Sequence, residues 1–207
     1  MNWGQLKSAV ADYVSRGDVT VASPLMTTWL ELAEQRIYNG TNRIPGLRIS
    51  AMLTTVASQP LDAALPANLL GVERVSVMRG GRKVPLEFRV SDWLSPLEGA
   101  AGQVMYYTIR GGRIVVGASS PITAELLYYA KPATPVADAD TNVVLDTLPS
   151  VYLWAMVLEA AAWLRDSELL TTATPLWADA MEAARNADDA ARFSGPLSIA
   201  SDPGVML

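Results

Sequence analysis

The chain has 207 residues and a net charge of −5; half of its residues are apolar and 18% are charged. These proportions are typical of a folded globular protein and exclude an intrinsically disordered one. Histidine and cysteine are both absent, which excludes Ser-His-Asp and Cys-His catalysis, disulfides, and the usual zinc and iron ligands.

Two helices are predicted at the N-terminus. Residues 3–16 form the first, because Leu6, Val10 and Val14 recur at helical spacing. Ser23 and Pro24 begin the second as its N-cap and first helical position, and Asn39-Gly40 ends it. The spacing predicts an inner face made of Leu25, Trp29, Leu32, Ala33, Arg36 and Ile37.

Short β-branched runs separated by turn residues follow from about residue 47. Gly80-Gly81 and Gly111-Gly112 each lie between two such runs, and this pattern predicts two-residue hairpins. A short helical turn is predicted at residues 91–97. The predicted strands are residues 48–57, 72–78, 83–90, 106–110, 113–117 and 123–130.

The last third of the chain is again predicted to be helical, after a predicted loop at residues 133–148. One helix runs from Pro149 to residue 165, and a second follows Pro175 and ends near residue 192. Residues 151–164 are apolar nearly all the way round, which predicts a buried helix. The run is too short to span a bilayer. The N-terminus has no basic and apolar segments typical of a signal peptide, so none is predicted.

The predicted fold class is α+β: a bundle of two N-terminal and two C-terminal helices with an inserted antiparallel β domain and an extended C-terminal tail. The predicted domains are residues 1–46 and 149–193 for the two halves of the bundle, 47–148 for the β domain and 194–207 for the tail.

Two motifs resemble ligand-binding sites. Residues 138–142 resemble the start of a calcium loop, but Val143 and Pro149 stand where such a loop requires glycine and a carboxylate, so no metal is predicted. The arginine-flanked glycine pairs lack the strand-to-helix context of phosphate loops, and hairpin turns explain them. Their arginines remain candidates for contact with a partner.

Glu159 lies within the apolar helix, and a buried carboxylate needs a charged or hydrogen-bonding partner. A structural ion pair with Arg36 is favoured over a catalytic acid or base, because no second catalytic group adjoins Glu159 in the sequence. The helices also carry Trp154, Trp163 and Trp177, which are predicted to pack in the core or at a subunit interface rather than line a ligand pocket. No catalytic, cofactor-binding or metal-binding residue is predicted.

Several segments occur in an order that resembles the head-to-tail adaptor (connector) proteins of tailed phages, above all those of short-tailed phages. The resemblance covers roughly residues 3–190. The segments are WGQLKSAVADYVSRGD at 3–18, WLELAEQRI at 29–37, LTTVA at 53–57, VERVSV at 72–77, YYTIRGGRI at 106–114, LLYYAKP at 126–132 and LEAAAWLRD at 158–166.

The resemblance implies a structural, non-enzymatic subunit without a cofactor, in a ring that usually has twelve copies. Such a ring docks on the portal protein and connects it to the tail nozzle or tube. Genomic DNA passes through the ring without sequence-specific binding, which the acidic composition also favours. The protein would assemble in the bacterial cytoplasm and reside at the head–tail junction of the virion, with no membrane contact.

The resemblance also implies that the C-terminal segment contacts the portal or a neighbouring subunit, here through Phe193, Leu197, Ile199, Val205, Met206 and Leu207. Two alternatives remain open. The chain is another neck, tail-completion or minor capsid protein, or it is an enzyme that depends on a carboxylate such as Glu159.

Overall fold

The structure, a computed structural model, describes residues 1–14, 19–60, 64–91, 106–116 and 123–193. The chain divides into two compact units. The helical unit comprises Met1–Ser50 and the chain from Pro135 onward, and the β unit comprises Ala51–Thr134. The predicted α+β fold class is confirmed.

The helical unit contains five described α-helices. Helix α2 begins one residue later than predicted, although the Ser23 hydroxyl does accept a hydrogen bond from the Leu25 amide at 3.3 Å. The described part of the first helix ends at Val14, and residues 15–18 lie outside the described residues. The helices are α1 (Trp3–Val14), α2 (Leu25–Asn39), α3 (Val143–Thr147), α4 (Pro149–Leu164) and α5 (Ser167–Arg192).

The segment that precedes α4 was predicted to be a loop in the β domain, and both parts of that prediction are wrong. It contains helix α3, whose N-cap Asn142 accepts hydrogen bonds from two backbone amides through its side chain. It also belongs to the helical unit, because its backbone caps α1. The carbonyls of Asp138 and Asp140 accept hydrogen bonds from the amides of Gly4 and Trp3 at 2.9 Å.

Helix α4 lies at the centre of the helical unit and packs against the other described helices, α1, α2, α3 and α5. Eight of its residues are buried, which confirms the predicted buried helix. Neighbouring helices of the same chain therefore bury half of the residues of α4. An apolar helix with no polar face does not, in this chain, require a subunit neighbour to cover it.

Helix α5 begins at Ser167, earlier than predicted, and Pro175 lies inside it. The prediction treated Pro175 as a helix start, since proline removes one backbone hydrogen bond and favours the first turn. A stronger start lies upstream, where the Asp166 side chain accepts a hydrogen bond from the Leu169 amide at 2.9 Å. Packing of the long helix against α4 offsets the cost of the proline.

The described residues of the β unit form seven strands: β1 (Leu53–Pro60), β2 (Leu69–Arg79), β3 (Arg82–Pro85), β4 (Glu87–Phe88), β5 (Tyr106–Arg110), β6 (Arg113–Val116) and β7 (Thr123–Ala130). They make up two sheets, with strand orders β1-β7-β2-β3 and β4-β5-β6. All described pairings are antiparallel except the short β4–β5 pair. Residues 50–52 form a 3₁₀ turn, so the first strand begins later than predicted.

Both predicted Gly-Gly hairpins are confirmed. The β2–β3 turn is Gly80-Gly81 and the β5–β6 turn is Gly111-Gly112, and all four glycines have positive φ values between 50° and 76°. Two consecutive positive φ values match the twist of antiparallel strands and favour glycine. The predicted helical turn at residues 91–97 lies, from residue 92 onward, outside the described residues.

The core of the β unit combines side chains from both sheets. Val75, Val77 and Leu126 belong to the first sheet, and Tyr107 and Ile114 to the second. Burial raises the pKa of the Tyr107 hydroxyl above its ordinary value. Buried residues alternate with less buried ones along β6 and most of β7, whereas Val75, Ser76 and Val77 of β2 are buried in succession.

Candidate functional site

A groove between α2 and α4 holds two of the residues that the sequence predicted to interact. Arg36 Nε donates a hydrogen bond to Glu159 Oε1 at 2.6 Å. The predicted ion pair is therefore present. The open depression around it, here named the helix groove, has a volume of about 400 Å³ and is lined by Leu32, Gln35, Arg36, Asn39, Gly40, Thr41 and Glu159.

Arg36 also contacts the third predicted residue of this region. Its guanidinium carbon lies 5.6 Å from the centre of the Trp177 ring, within the range of a cation–π interaction. Trp177 on α5 is buried. Arg36 on α2 therefore joins the two C-terminal helices, through a carboxylate of α4 and an aromatic ring of α5.

The other two predicted tryptophans lie elsewhere on α4. Trp154 packs edge-on against Tyr13 of α1, with ring centres 4.9 Å apart. Trp163 packs against the buried Trp29 of α2, with ring centres 6.1 Å apart. Trp163 is nevertheless 56% exposed, so it is not a core residue of the single chain.

The face around the helix groove is partly apolar. Leu32 was predicted to face inward but is 41% exposed. The prediction was wrong because Leu30, its neighbour on α2, occupies the buried side instead. Trp163 follows Glu159 by one helical turn, and Leu32 precedes Arg36 by one, so an exposed apolar residue stands beside each partner of the ion pair.

The helical unit contains a buried polar network that was not predicted from the sequence. The Tyr152 hydroxyl donates to Glu34 Oε1 at 3.2 Å and accepts from Asn142 Nδ2 at 3.0 Å. It lies 2.7 Å from the Tyr38 hydroxyl. A hydroxyl has one hydrogen to donate and two lone pairs, so Tyr38 is the donor to Tyr152 in this arrangement.

The helical spacing of Glu34 from its apolar neighbours was the sequence signal that could have predicted this network. Glu34 follows Leu30 by four residues and precedes Ile37 by three, and both neighbours are buried. Glu34 itself is 1% exposed. Burial is the largest cause that raises the pKa values of Tyr38 and Tyr152 well above the ordinary phenol value. Both hydroxyls therefore remain neutral and tie α2 to α4.

The run that resembles a calcium loop has a structural role. Asp140 accepts hydrogen bonds from the amides of Ala137 and Val136, which lower the pKa of its carboxyl group. Asp138 accepts a hydrogen bond from Lys7 Nζ at 2.6 Å. Within the described part of the chain, no group of three acidic side chains is arranged to hold a metal ion.

A second set of hydrogen bonds to charged side chains lies where the helical unit ends. Asp188 Oδ1 on α5 accepts hydrogen bonds from both the backbone amide of Ser50, at 2.7 Å, and its hydroxyl. Arg185, one turn earlier, donates to the Pro45 carbonyl. These contacts hold the chain between α2 and the β unit against α5.

Of the predicted tail residues, the structure describes only the first, Phe193. Phe193 follows α5 and is 68% exposed. Leu197, Ile199, Val205, Met206 and Leu207 lie outside the described residues. None of the helices in the described ranges combines the length and apolar character needed to cross a membrane.

Chemically, these arrangements stabilise structure. Among the described residues that line the helix groove, Glu159 is the single carboxylate, and its charge is offset by Arg36. General acid–base catalysis needs a second carboxylate or a free base beside the first carboxylate. The described residues that line the groove supply neither.

Comparison with known proteins adds one match. The family model described as "SU10 adaptor protein" matches residues 1–200 of the chain. No curated protein matches the chain significantly. The match covers both structural units and confirms the predicted resemblance to phage head-to-tail adaptors.

Proposed function

The chain belongs to the SU10 adaptor protein family, and from this membership we propose that it forms the ring that joins a phage portal to the tail. It is a phage adaptor protein and a component of the virion. Twelve copies form the ring, which docks on the portal protein, receives the tail nozzle or tube and surrounds the DNA channel. The family match over residues 1–200 carries this proposal.

Exposed apolar side chains on the helical unit support subunit contacts. Trp163 is 56% exposed and Leu32 is 41% exposed. Tryptophan is enriched at protein interfaces, where its ring supplies a large apolar contact. Trp163 and Leu32 contact the neighbouring subunit in the ring. Arg36, Glu159, Trp154 and Trp177 stabilise the helices that present them.

The C-terminal tail contacts the portal or a neighbouring subunit. Phe193, at its start, exposes 68% of its surface in the single chain, as expected of a side chain that a partner covers. The remaining residues of this contact are Leu197, Ile199, Val205, Met206 and Leu207. DNA passes through the ring without being recognised in sequence, since the net charge of −5 disfavours tight phosphate binding.

The same membership and the site geometry support a structural rather than a catalytic role. Glu159 is paired with Arg36 at 2.6 Å. A carboxylate held in this way serves to link helices, and the adaptor performs no catalytic turnover. The adaptor acts by binding the portal on one side and the tail on the other.

Co-expression with the portal protein of the same phage, followed by affinity purification and electron microscopy, tests the proposal. The expected result is a ring of the chain at the distal end of the portal. A chain that remains monomeric beside an assembled portal would refute it. Recovery of the chain with tail protein and not with portal would indicate a neck, tail-completion or minor capsid role instead.

A further inference from the structure

The helix groove has an apolar end. Leu32 lines this end and is 41% exposed. Trp163, which packs on Trp29 one helical turn before Leu32, is 56% exposed. Gly40 and Thr41 follow α2 and line the opposite end of the groove. Exposed apolar side chains beside a depression are typical of a surface that binds another segment of protein chain.

Between these ends, Gln35, Arg36 and Asn39 form one side of the groove, here named the polar wall. Arg36 has five N–H groups, of which only Nε donates a hydrogen bond to a described residue. Gln35 and Asn39 are exposed, and their side-chain amides form no hydrogen bond within the described ranges. An extended peptide carries unpaired main-chain donors and acceptors, so it is the kind of ligand that the polar wall fits.

The C-terminal end of α5 lies near the groove. Arg185 of α5 donates a hydrogen bond to the Pro45 carbonyl, and Pro45 pairs with Gly40 at the edge of the groove. Fourteen residues follow Phe193, and at about 3.3 Å per residue they span at most about 46 Å. A path from Phe193 back to the level of Arg185, across one helix and along α2 to Leu32, is about 35 Å long. The segment after α5 is therefore long enough to reach the apolar end of the groove in its own chain.

The composition of this segment is that of an extended apolar ligand. Glycine and proline stand together at residues 195–196 and again at 203–204, and both residue types disfavour a helix. Residues 205–207 are Val-Met-Leu. They follow Phe193 by at least twelve residues, about 40 Å of extended chain, which matches the path to Leu32. The apolar group of the segment therefore reaches the apolar end of the groove.

We propose that, in a subunit outside the ring, residues 194–207 bind the helix groove of their own chain and residues 205–207 cover Leu32 and Trp163. The polar wall donates hydrogen bonds to the main chain before them. The short tether to α5 favours this contact, since it keeps the effective concentration of the segment high.

The consequence for assembly rests on the proposed function, in which the tail contacts the portal and the groove face contacts the neighbouring subunit. One segment cannot occupy the groove and the portal at the same time. Binding of the tail to the portal therefore uncovers Leu32 and Trp163, which are then free to contact the next subunit. A ring forms on the portal and not in solution, because the portal shifts the subunit to its uncovered state.

Disulfide formation in the isolated full chain, without portal, tests the contact. The chain has no cysteine, so Leu32→Cys with Met206→Cys introduces one pair of thiols. An intramolecular disulfide should form about tenfold faster than in the matched control, Thr27→Cys with Met206→Cys. Thr27 is exposed and precedes Leu32 by five residues, so it lies on another side of α2. Non-reducing electrophoresis and mass spectrometry follow both reactions.

Two outcomes would overturn the inference. Equal rates in the two proteins would show that the segment has no preference for the groove. A disulfide formed only between two copies would show that the groove binds the segment of another subunit. Neither outcome bears on the ring at the portal, because the portal is absent from the experiment.

Self-association of the isolated chain gives a second measurement. Val205→Asp with Leu207→Asp should raise the association constant, measured by analytical ultracentrifugation, by about tenfold or more, because the displaced segment uncovers Leu32 and Trp163. Ser201→Asp is the matched control, since it adds a charge to the same segment and keeps its apolar side chains. Adding Leu32→Asp to the tail variant should return the constant to its original value. Self-association that is unchanged in the tail variant would refute the masking of the subunit contact.

Discussion

Arg36 Nε donates a hydrogen bond to Glu159 Oε1 at 2.6 Å and so links α2 to α4. The Glu159 side chain is 13% exposed, and the guanidinium also lies against Trp177. The pair therefore distinguishes the structural interpretation of Glu159 from the catalytic one, because the two interpretations predict different results for the same substitution.

Glu159→Gln should lower the free energy of unfolding by about 1–3 kcal/mol, because it leaves a partly buried guanidinium without its charged partner. Urea unfolding monitored by circular dichroism measures this loss. Replacing both partners, with Arg36→Met and Glu159→Leu, should recover part of it. A stable Glu159→Gln protein that has lost an enzymatic activity would support the catalytic alternative.

Tyr152→Phe should lower stability by about 1–3 kcal/mol, since one hydroxyl bonds to two buried partners, Glu34 and Tyr38, and to the half-buried Asn142. Glu34 loses a donor, and Tyr38 and Asn142 lose an acceptor. Tyr13→Phe is the matched control, because Tyr13 is 47% exposed. Equal effects of the two substitutions would show that the network contributes nothing to stability.

Alkaline pH should destabilise the helical unit. The folded pKa values of Tyr38 and Tyr152 are raised above 10.0, chiefly by burial, so both stay neutral where unfolded phenols ionise. Their contribution is complete below the unfolded pKa and is lost as pH rises above about 10. Urea unfolding at pH values of about 8 and about 10.5 should show this loss, and Tyr38→Phe should reduce it.

Gly40→Ala should destabilise the protein by about 3 kcal/mol or more, because a Cβ there would meet backbone atoms. Its φ is +76°, and the Gly46 amide and Ile44 carbonyl would lie 2.4 Å and 2.5 Å from the added carbon. Gly81 has the same φ but open space around it. Gly81→Ala should therefore lower the free energy of unfolding by only about 1 kcal/mol, which is the cost of the positive φ alone. Thermal unfolding of both variants separates the two effects.

Asp188→Ala should lower stability by about 1–3 kcal/mol, whereas Asp189→Ala should be nearly neutral. Asp188 accepts two hydrogen bonds from Ser50 and its side chain is 9% exposed; Asp189 is exposed. Hydrogen exchange at the Ser50 amide measures the contact directly. Protection of that amide that survives Asp188→Ala would contradict the assigned role.

Local patterns sufficed for much of the fold. The hairpins were predictable because Gly-Gly turns depend on two neighbouring residues and on the twist of the strands they join. The burial of α4 followed from its apolar circumference. The start of α5 was missed because a strong N-cap at Asp166, together with packing against α4, outweighs the preference of Pro175 for a first turn.

The absence of histidine and cysteine, the order of helices and strands, and the resemblance to phage adaptors are properties of the sequence by itself. They depend on residue identity and on short spacing along the chain, so they do not require knowing which residues contact each other in the fold. Tertiary structure alone decided that Leu32 is exposed, which partners the Glu34 carboxylate has, and that helices of the same chain cover α4. The packing of α2 against α4 joins residues more than one hundred positions apart, such as Arg36 and Glu159, and no local pattern encodes the geometry of such a contact.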